Sequence, residues 1–194
     1  MAQIIFATGN KWKVHEVEQA IKPFNIEVDP LEIDFVEPVG DVITVAASKA
    51  MQAYAKCHKP VIVCDSGFYV DHHPKGSGYP ATLVKRLGYV ANPQKMLDEM
   101  ANVSCRSCHF QTCLAYYNSD ELVKLITFVA TVFGNMTYDL RQINNPDCCG
   151  CYRLFIPQGS KLAWSEMSEE ELAEKPTDIM RAAAAFASWY TDKK

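Results

Sequence analysis

The stretch QIIFATGNKWKVHEVEQAI, residues 3–21, decides the fold of this chain. Its first apolar run, IIF at residues 4–6, is typical of a buried strand. The next segment, TGN at residues 8–10, predicts a turn, because Gly permits a positive φ and Asn tolerates one. A helical pattern then begins near Lys11, with apolar residues three and four positions apart at Val14, Val17 and Ile21.

A glycine turn between a strand and a helix leaves backbone N–H groups directed outward at the start of the helix. Such a helix start binds anions, of which phosphate is the commonest. Lys13 lies in the first helical turn, and Glu16 follows three residues later on the same face. A cation beside an acid suits a phosphate and its magnesium ion. A strand, turn and helix with a merely solvated charged face is the alternative that these residues leave open.

The composition limits the class of protein. With 194 residues, of which 48% are hydrophobic, the chain can form a single domain over 1–194 built as two lobes. A net charge of −4 argues against sequence-independent binding of nucleic acid, which requires a basic face. The sequence has no basic, apolar leader and no run of about 20 apolar residues. We therefore expect a cytoplasmic protein that binds neither nucleic acid nor a membrane.

The eight cysteines leave a structural zinc site open as an alternative. Cys105 and Cys108 have C-x-x-C spacing, and a second group comprises Cys148, Cys149 and Cys151. However, the stretch from Cys105 to Tyr117 alternates like a strand, which would place Cys105 and Cys108 on opposite faces. Free cysteines also pack as small buried hydrophobes.

A second informative place follows the apolar run at residues 60–63. The pattern predicts that this strand ends in Cys64-Asp65-Ser66-Gly67, and ligand-binding groups collect at the carboxyl ends of strands in α/β proteins.

The pattern also predicts the remaining elements of the chain. Helices are predicted at 41–56, 80–87, 93–100, 165–174 and 177–190. Two further strands are predicted at 105–117 and 122–133. Early alternation of strands and helices followed by a late hairpin predicts an α/β fold with an elongated mixed sheet, flanking helices and two lobes around a central cleft.

The spacing Thr8-Gly9-Asn10-x-x-Lys13-x-x-Glu16 resembles the opening motif of the inosine triphosphate pyrophosphatase family. These enzymes hydrolyse non-standard purine nucleoside triphosphates. The resemblance continues at Asp65-Ser66-Gly67, which is similar to the acidic Asp-Ser-Gly of the family. Further similar positions are Glu37, Lys49, the loop at 78–81 with Ala81 in place of the usual Gly, and the stretches 155–159 and 165–170.

The resemblance implies a role for each matched residue. Asp65 would be a metal ligand and the catalytic base, while Glu37, with Glu16 in support, would hold magnesium. Lys13 and Lys49 would balance the triphosphate charge, with Lys13 also acting in catalysis. The remaining positions that the resemblance places at the substrate are Thr8, Gly9, Asn10, Ser66, Gly67, Tyr152, Asp178 and Arg181. It also implies a homodimer.

The second half departs from the family pattern. Tyr152 replaces an acidic residue, Ala173 stands in place of a lysine, and Thr177-Asp178-Ile179 stands where the family has Ser-His-Arg. His and Arg donate hydrogen bonds to the 6-oxo group of a purine, whereas Asp and Ile cannot. A site that loses such donors should change its base preference.

The predicted function is magnesium-dependent hydrolysis of a nucleoside triphosphate between the α- and β-phosphates, with an altered base preference. Charge develops on phosphate oxygens in this reaction, so positioning and electrostatics dominate catalysis. Two alternatives remain open. One is a nucleotide-binding protein of the same fold that has lost turnover, and the other is a zinc-stabilised binding module.

Overall fold

The computed structural model describes residues 2–144, 146 and 148–193, which form five helices and seven strands within these ranges. The helices are α1 (Lys11–Ile21), α2 (Val42–Cys57), α3 (Gln94–Glu99), α4 (Glu169–Glu174) and α5 (Asp178–Asp192). The strands are β1 (Ala2–Ala7), β2 (Ile26–Leu31), β3 (Val61–Val70), β4 (Tyr79–Ala81), β5 (Ser107–Tyr117), β6 (Leu125–Met136) and β7 (Phe155–Pro157). None of the helices in the described ranges is long and apolar enough to cross a bilayer.

The strands form one mixed sheet in the order β2-β1-β3-β5-β6-β7, with β4 paired to β3. β1 is parallel to both β2 and β3, whereas β3 with β4 and β6 with β7 are antiparallel. The parallel pairs come from the early strands and the antiparallel pairs from later ones. The predicted α/β class with a mixed sheet and flanking helices is confirmed.

The chain divides into two compact units. The first comprises the residues up to Ser66, Thr112–Ala130 and the segment from Asp178 onwards. Its strands alternate between two cores, as a pleated sheet requires. On one face, Ile62, Leu114 and neighbouring side chains pack with α1 and α5. On the other, Val61, Cys113 and their neighbours pack with the alanine-rich stripe of α2.

The second unit comprises Gly67–Gln111 and Thr131–Thr177, and aromatic side chains dominate its core. Phe68 stacks on Phe110 with ring centroids 4.5 Å apart, and Phe155 lies 4.4 Å from Trp164. Tyr152 meets both Phe110 and Trp164 edge-on. Edge-on and offset contacts of this kind are the favoured geometries between aromatic rings.

The predicted end of this strand at Cys64-Asp65-Ser66-Gly67 is wrong, because β3 continues through these residues to Val70. β1 accompanies β3 only at Val61 and Ile62, and β4 pairs with it from Phe68 onwards. Asp-Ser-Gly is common in turns, but here the buried residues on both sides keep the chain extended. Asp65 therefore lies within the strand, just beyond the part that pairs with β1.

Other boundaries also differ from the sequence prediction. β5 begins at Ser107, so Cys105 lies outside the strand and its side chain is exposed. The connection to β6 spans residues 118–124, so β6 begins at Leu125 instead of the predicted residue 122, and the Asn118 N–H closes the connection by donating to the Lys124 carbonyl oxygen. The segment predicted to be helical at 80–87 is β4 followed by a single 3₁₀ turn, Thr82–Val84.

Capping residues mark the starts of two helices. Asp41 caps α2 by accepting from the Thr44 N–H at 2.7 Å. Ser168 and Glu171 form a capping box, each side chain accepting from the other residue's backbone N–H, which starts α4 at Glu169 instead of at the predicted residue 165. The alanine-rich helix near the C-terminus is α5.

Candidate active site

The opening of α1 is fixed by the Asn10 side chain. Asn10 Oδ1 accepts from the backbone N–H groups of Trp12 at 3.0 Å and Lys13 at 3.3 Å. The sequence analysis predicted that the N–H groups at the start of this helix are available to an anion. Two of them already donate to the Asn10 cap. Thr8 Oγ1 accepts from the Asn10 N–H at 3.2 Å and still keeps its own hydroxyl proton for donation.

The predicted reason for Gly9 is wrong, because neither Gly9 nor Asn10 has a positive φ. A Cβ added at Gly9 would instead lie 3.4 Å from Glu32 Oε1. This is an ordinary van der Waals distance to the end of a flexible side chain, so space does not require glycine at residue 9. The turn keeps its predicted place between β1 and α1.

Lys49 is the centre of the site. Its Nζ lies 2.5 Å from Glu37 Oε1 and 2.7 Å from Asp65 Oδ1, so one ammonium group joins two carboxylates. Lys49 and Asp65 are buried, whereas the Glu37 side chain is 57% exposed. α2 supplies the lysine, β3 supplies the aspartate, and the segment between β2 and α2 supplies the glutamate.

The charges of α1 belong to the same cluster. Lys13 Nζ donates to the Cys64 carbonyl oxygen at 3.4 Å, next to Asp65 in β3. Burial raises the pKa of the Cys64 thiol, and the charges of Lys13, Asp65, Glu16 and Lys49 act on it as well. Glu16 is buried with only 2% exposed, despite its charge. The structure therefore brings together residues that the sequence analysis selected from three separate stretches.

A hydrogen-bonded chain of three side chains begins at Ser66, the residue after Asp65 in β3. Ser66 Oγ lies 2.6 Å from Thr112 Oγ1, and Thr112 Oγ1 donates to Asp178 Oδ2 at 2.5 Å. Thr112 and Asp178 are completely buried. Burial raises the pKa of Asp178 to about 6, although the Thr112 hydrogen bond and the Lys13 charge lower it in part.

Sequence reasoning did not select Thr112. A threonine between apolar residues in a predicted strand gives no signal of its own, because Thr is common in strands. Its role becomes visible only when α5 places Asp178 opposite β5.

The donor set fits a magnesium ion. Glu37 and Asp65 offer hard carboxylate oxygens on one side of the cluster, and Mg²⁺ is usually held by one or two carboxylates together with waters and substrate phosphates. Among the described residues, no group of three or more His, Cys, Asp or Glu side chains is arranged to hold a metal. The protein part of such a site would therefore be these two carboxylates, with the remaining positions left to phosphate and water.

Three other predicted substrate residues have different surroundings. Gly67 follows Ser66 in β3, where an added Cβ would lie 2.7 Å from the Tyr69 ring. Tyr152 belongs to the second unit, and its ring is buried in the aromatic core described above. Arg181 lies exposed on α5. Their contacts with a substrate stay predictions.

The cysteines of the predicted zinc alternative differ in environment. All eight cysteines are free thiols. Cys105 is exposed and Cys108 is buried in β5, so the two ends of the C-x-x-C do not share a surface. Cys151 is buried, and its pKa is raised by a hydrogen bond with Cys149 and by burial.

Comparisons with known proteins show which proteins this chain is similar to. The model of the Ham1 family matches residues 4–188. A protein named dITP/XTP pyrophosphatase from Saccharolobus solfataricus is 30% identical over 191 residues, which cover 96% of this chain and 94% of that protein. One of the same name from Methanopyrus kandleri is 26% identical and covers 97% and 96%.

Solved structures share the fold. The Ham1 protein of Staphylococcus aureus superposes with a TM-score of 0.80 at 20% identity, covering 99% of this chain and 100% of that one. A HAM1 protein from Coxiella burnetii gives a TM-score of 0.79 at 19% identity with the same coverage. The family predicted from the motif at residues 8–16 is thereby confirmed: the chain belongs to the Ham1 family.

Proposed function

We propose that this chain is a magnesium-dependent nucleoside triphosphate pyrophosphatase that yields a nucleoside monophosphate and pyrophosphate. The observation that carries the proposal is the Lys49 ammonium group between Glu37 and Asp65. In this partly buried cluster, the ammonium group can bind the negative phosphate oxygens of a triphosphate, and the two carboxylates can bind its metal ion. The names of the relatives support the same activity.

In the proposed reaction, a water oxygen forms a bond to phosphorus while the bridging P–O bond between the α- and β-phosphates breaks. Asp65 accepts the proton that the water loses. Lys13 and Lys49 bind phosphate oxygens and orient the triphosphate. Glu37 and Asp65, with Glu16 as a supporting acid, would hold magnesium, which neutralises charge developing on the phosphate oxygens.

Lys49 has to change partners in this reaction. In the described structure Lys49 pairs with both carboxylates, whereas with substrate it would share them with the metal ion and turn toward a phosphate. The long, flexible lysine stem allows such a movement. The exposed Glu37 side chain is the partner that solvent and a ligand can reach most easily.

The base preference is also part of the proposal. The structure leaves Asp178 no exposed surface, so we infer no direct contact of its carboxylate with a base. The altered preference rests instead on the missing donors, since Asp178 and Ile179 occupy the positions of the family's His and Arg.

We further propose a cytoplasmic homodimer, as the family resemblance implies. Light scattering of the purified protein would test whether it is a dimer.

Pyrophosphate release from a panel of purine and pyrimidine nucleoside triphosphates, with and without Mg²⁺, tests the proposed activity. We expect Asp65→Asn to lower kcat by about 10²–10⁴-fold, because an amide cannot accept the proton from water. Unchanged circular dichroism and retained nucleotide binding would serve as the controls. Binding without turnover of any triphosphate by the wild-type protein would favour the alternative of a nucleotide-binding protein.

A further inference from the structure

The second unit contains a pocket of about 420 Å³ that the proposed reaction does not use. It lies where the backbone leading into β5 meets the end of β6 and strand β7. The Met136 N–H donates to the Arg106 carbonyl oxygen at 2.7 Å, and Asn135 is opposite Ile156 in the sheet register. Backbone hydrogen bonds thus hold the strands that form the walls of the pocket. The volume of the pocket is within the usual range for small-molecule sites.

Arg106 lines this pocket, and its side chain is unusual. The residue is only 8% exposed, and its Nε and Nη1 atoms are buried without a hydrogen-bond partner among the described residues. The guanidinium carbon lies 4.4 Å from the centroid of the Tyr138 ring. A cation–π contact offsets part of the loss of water but provides no hydrogen-bond acceptor. A buried, unpaired charge is among the most unfavourable features of a folded protein.

The other charged groups of the pocket do not supply the missing anion. Arg141 also lines it, and its Nε already donates to Glu166 Oε2 at 3.0 Å. Asp139 is exposed at the pocket and makes no ion pair with Arg106 in the described ranges. Ser104 and Thr137 also line the pocket, and the Thr137 hydroxyl already donates to the Arg153 carbonyl oxygen at 3.4 Å. Because Asp139 is exposed to solvent whereas Arg106 is buried, the buried charge that lacks a partner at this pocket among the described residues is positive.

We propose that this pocket binds a small oxyanion, a phosphate or carboxylate group, through the Arg106 guanidinium. Guanidinium presents its N–H groups in a planar fork that matches both kinds of oxyanion. The Tyr138 ring covers one face of the Arg106 guanidinium group. The Tyr138 hydroxyl donates to the Ser104 carbonyl oxygen at 3.2 Å, which fixes the position of the ring. The pocket shares no residue with the cluster around Lys49, so this inference does not depend on the proposed reaction.

The test uses the side-chain Nε–H signals of arginines in ¹H–¹⁵N spectra of the full-length protein, with the Arg106 signal assigned by its loss in Arg106→Gln. Inorganic phosphate and acetate are titrated separately at constant ionic strength and pH. We expect the Arg106 signal to shift saturably with at least one of the two anions. Saturation with phosphate alone would identify a phosphate-bearing ligand, and saturation with acetate alone a carboxylate-bearing one.

Arg86, an exposed arginine of the same unit, provides the matched control. Its Nε–H signal should not move, and Arg86→Gln should leave the Arg106 titration unchanged. An Arg106 signal that fails to move with either anion would overturn the proposal. A shift of the same size at Arg86 would overturn it too, because it would show binding to arginines in general. We expect phosphate that binds only near Lys49 not to shift the Arg106 signal, because the two sites share no residue.

Discussion

Asp178 is a carboxyl group that folding removes completely from water. Burial raises its pKa from the ordinary 3.8 to about 6, so the native protein keeps a proton that the unfolded chain releases. The free energy of unfolding therefore falls as the pH rises from about 4 to about 6. Above pH 6 the contribution of Asp178 to this free energy is constant. The difference amounts to about 3 kcal/mol of unfolding free energy.

Asp178→Asn removes this titration while retaining an oxygen that can accept from Thr112. We expect the variant to gain stability relative to the wild type as the pH rises from 4 to 6, by up to about 3 kcal/mol. Urea unfolding of both proteins at half-unit pH intervals measures the difference. Parallel stability curves across this range would show that Asp178 ionises in the folded protein as it does in the unfolded one.

The protonation state of Asp178 also determines the direction of the hydrogen-bonded chain. When Asp178 is ionised, Thr112 donates to it and Ser66 must donate to Thr112, since each hydroxyl has one proton. When Asp178 is protonated, the donors can reverse along the chain. Ser66 follows Asp65 in β3, where successive side chains point to opposite faces of the sheet, so the chain of hydroxyl groups lies on the face opposite the Asp65 carboxylate.

At the level of elements, α1 depends on one side chain for its start. Asn10→Ala removes the acceptor for two N–H groups and should lower the unfolding free energy by about 0.5–2 kcal/mol. Asn10→Ser retains a capping oxygen and should restore most of that stability. We expect a raised KM for nucleoside triphosphate in both variants, because serine lacks the amide N–H₂ donor. A wild-type KM in Asn10→Ser would limit Asn10 to capping.

The end of β4 contains a strained backbone position. Ala81 has φ 55° and ψ −132°, a conformation that glycine adopts easily and that costs about 1–3 kcal/mol in other residues. We expect Ala81→Gly to raise the unfolding free energy by about 1 kcal/mol after the added flexibility of the unfolded chain is included. Denaturant midpoints measure this effect.

A matched control for this change is Ala101→Gly in the same unit, at a position without a positive φ. It should destabilise the protein, because there glycine brings only flexibility. If Ala81→Gly also lowered the midpoint, the strain at Ala81 would have to be relieved in the folded protein by other contacts.

The elements differ in how far their sequences predict them. The first strand and helix, α2 and α5 follow from apolar periodicity and capping residues that act locally. The extension of β3 beyond Cys64 does not, because it depends on pairing with β4, which the sequence pattern assigns to a helix. The acids and lysines of the site were predictable through their family motif, whereas Thr112 and Arg106 were not. Their importance comes from burial and partners, which a single sequence does not display.

For the molecule as a whole, the preference for one nucleotide base over another shows the effect of the departures from the family pattern in the second half of the chain. We expect a kcat/KM ratio of inosine to adenosine triphosphate below about 100, which corresponds to less than 2.7 kcal/mol in transition-state free energy. The reason is the loss of the His and Arg donors at residues 178 and 179. Steady-state kinetics with both substrates decides it. A larger ratio would show that other residues read the 6-oxo group.

The exposed position of Cys105 gives the molecule a natural attachment point for a reporter. Cys105 is the exposed one of the eight cysteines, and hydrogen bonding by Ser107 lowers its pKa, which favours the reactive thiolate. A maleimide dye added briefly at neutral pH should label this position first. Because Cys105 precedes Arg106, the emission of the dye would report directly on what enters the neighbouring pocket, without any engineered residue.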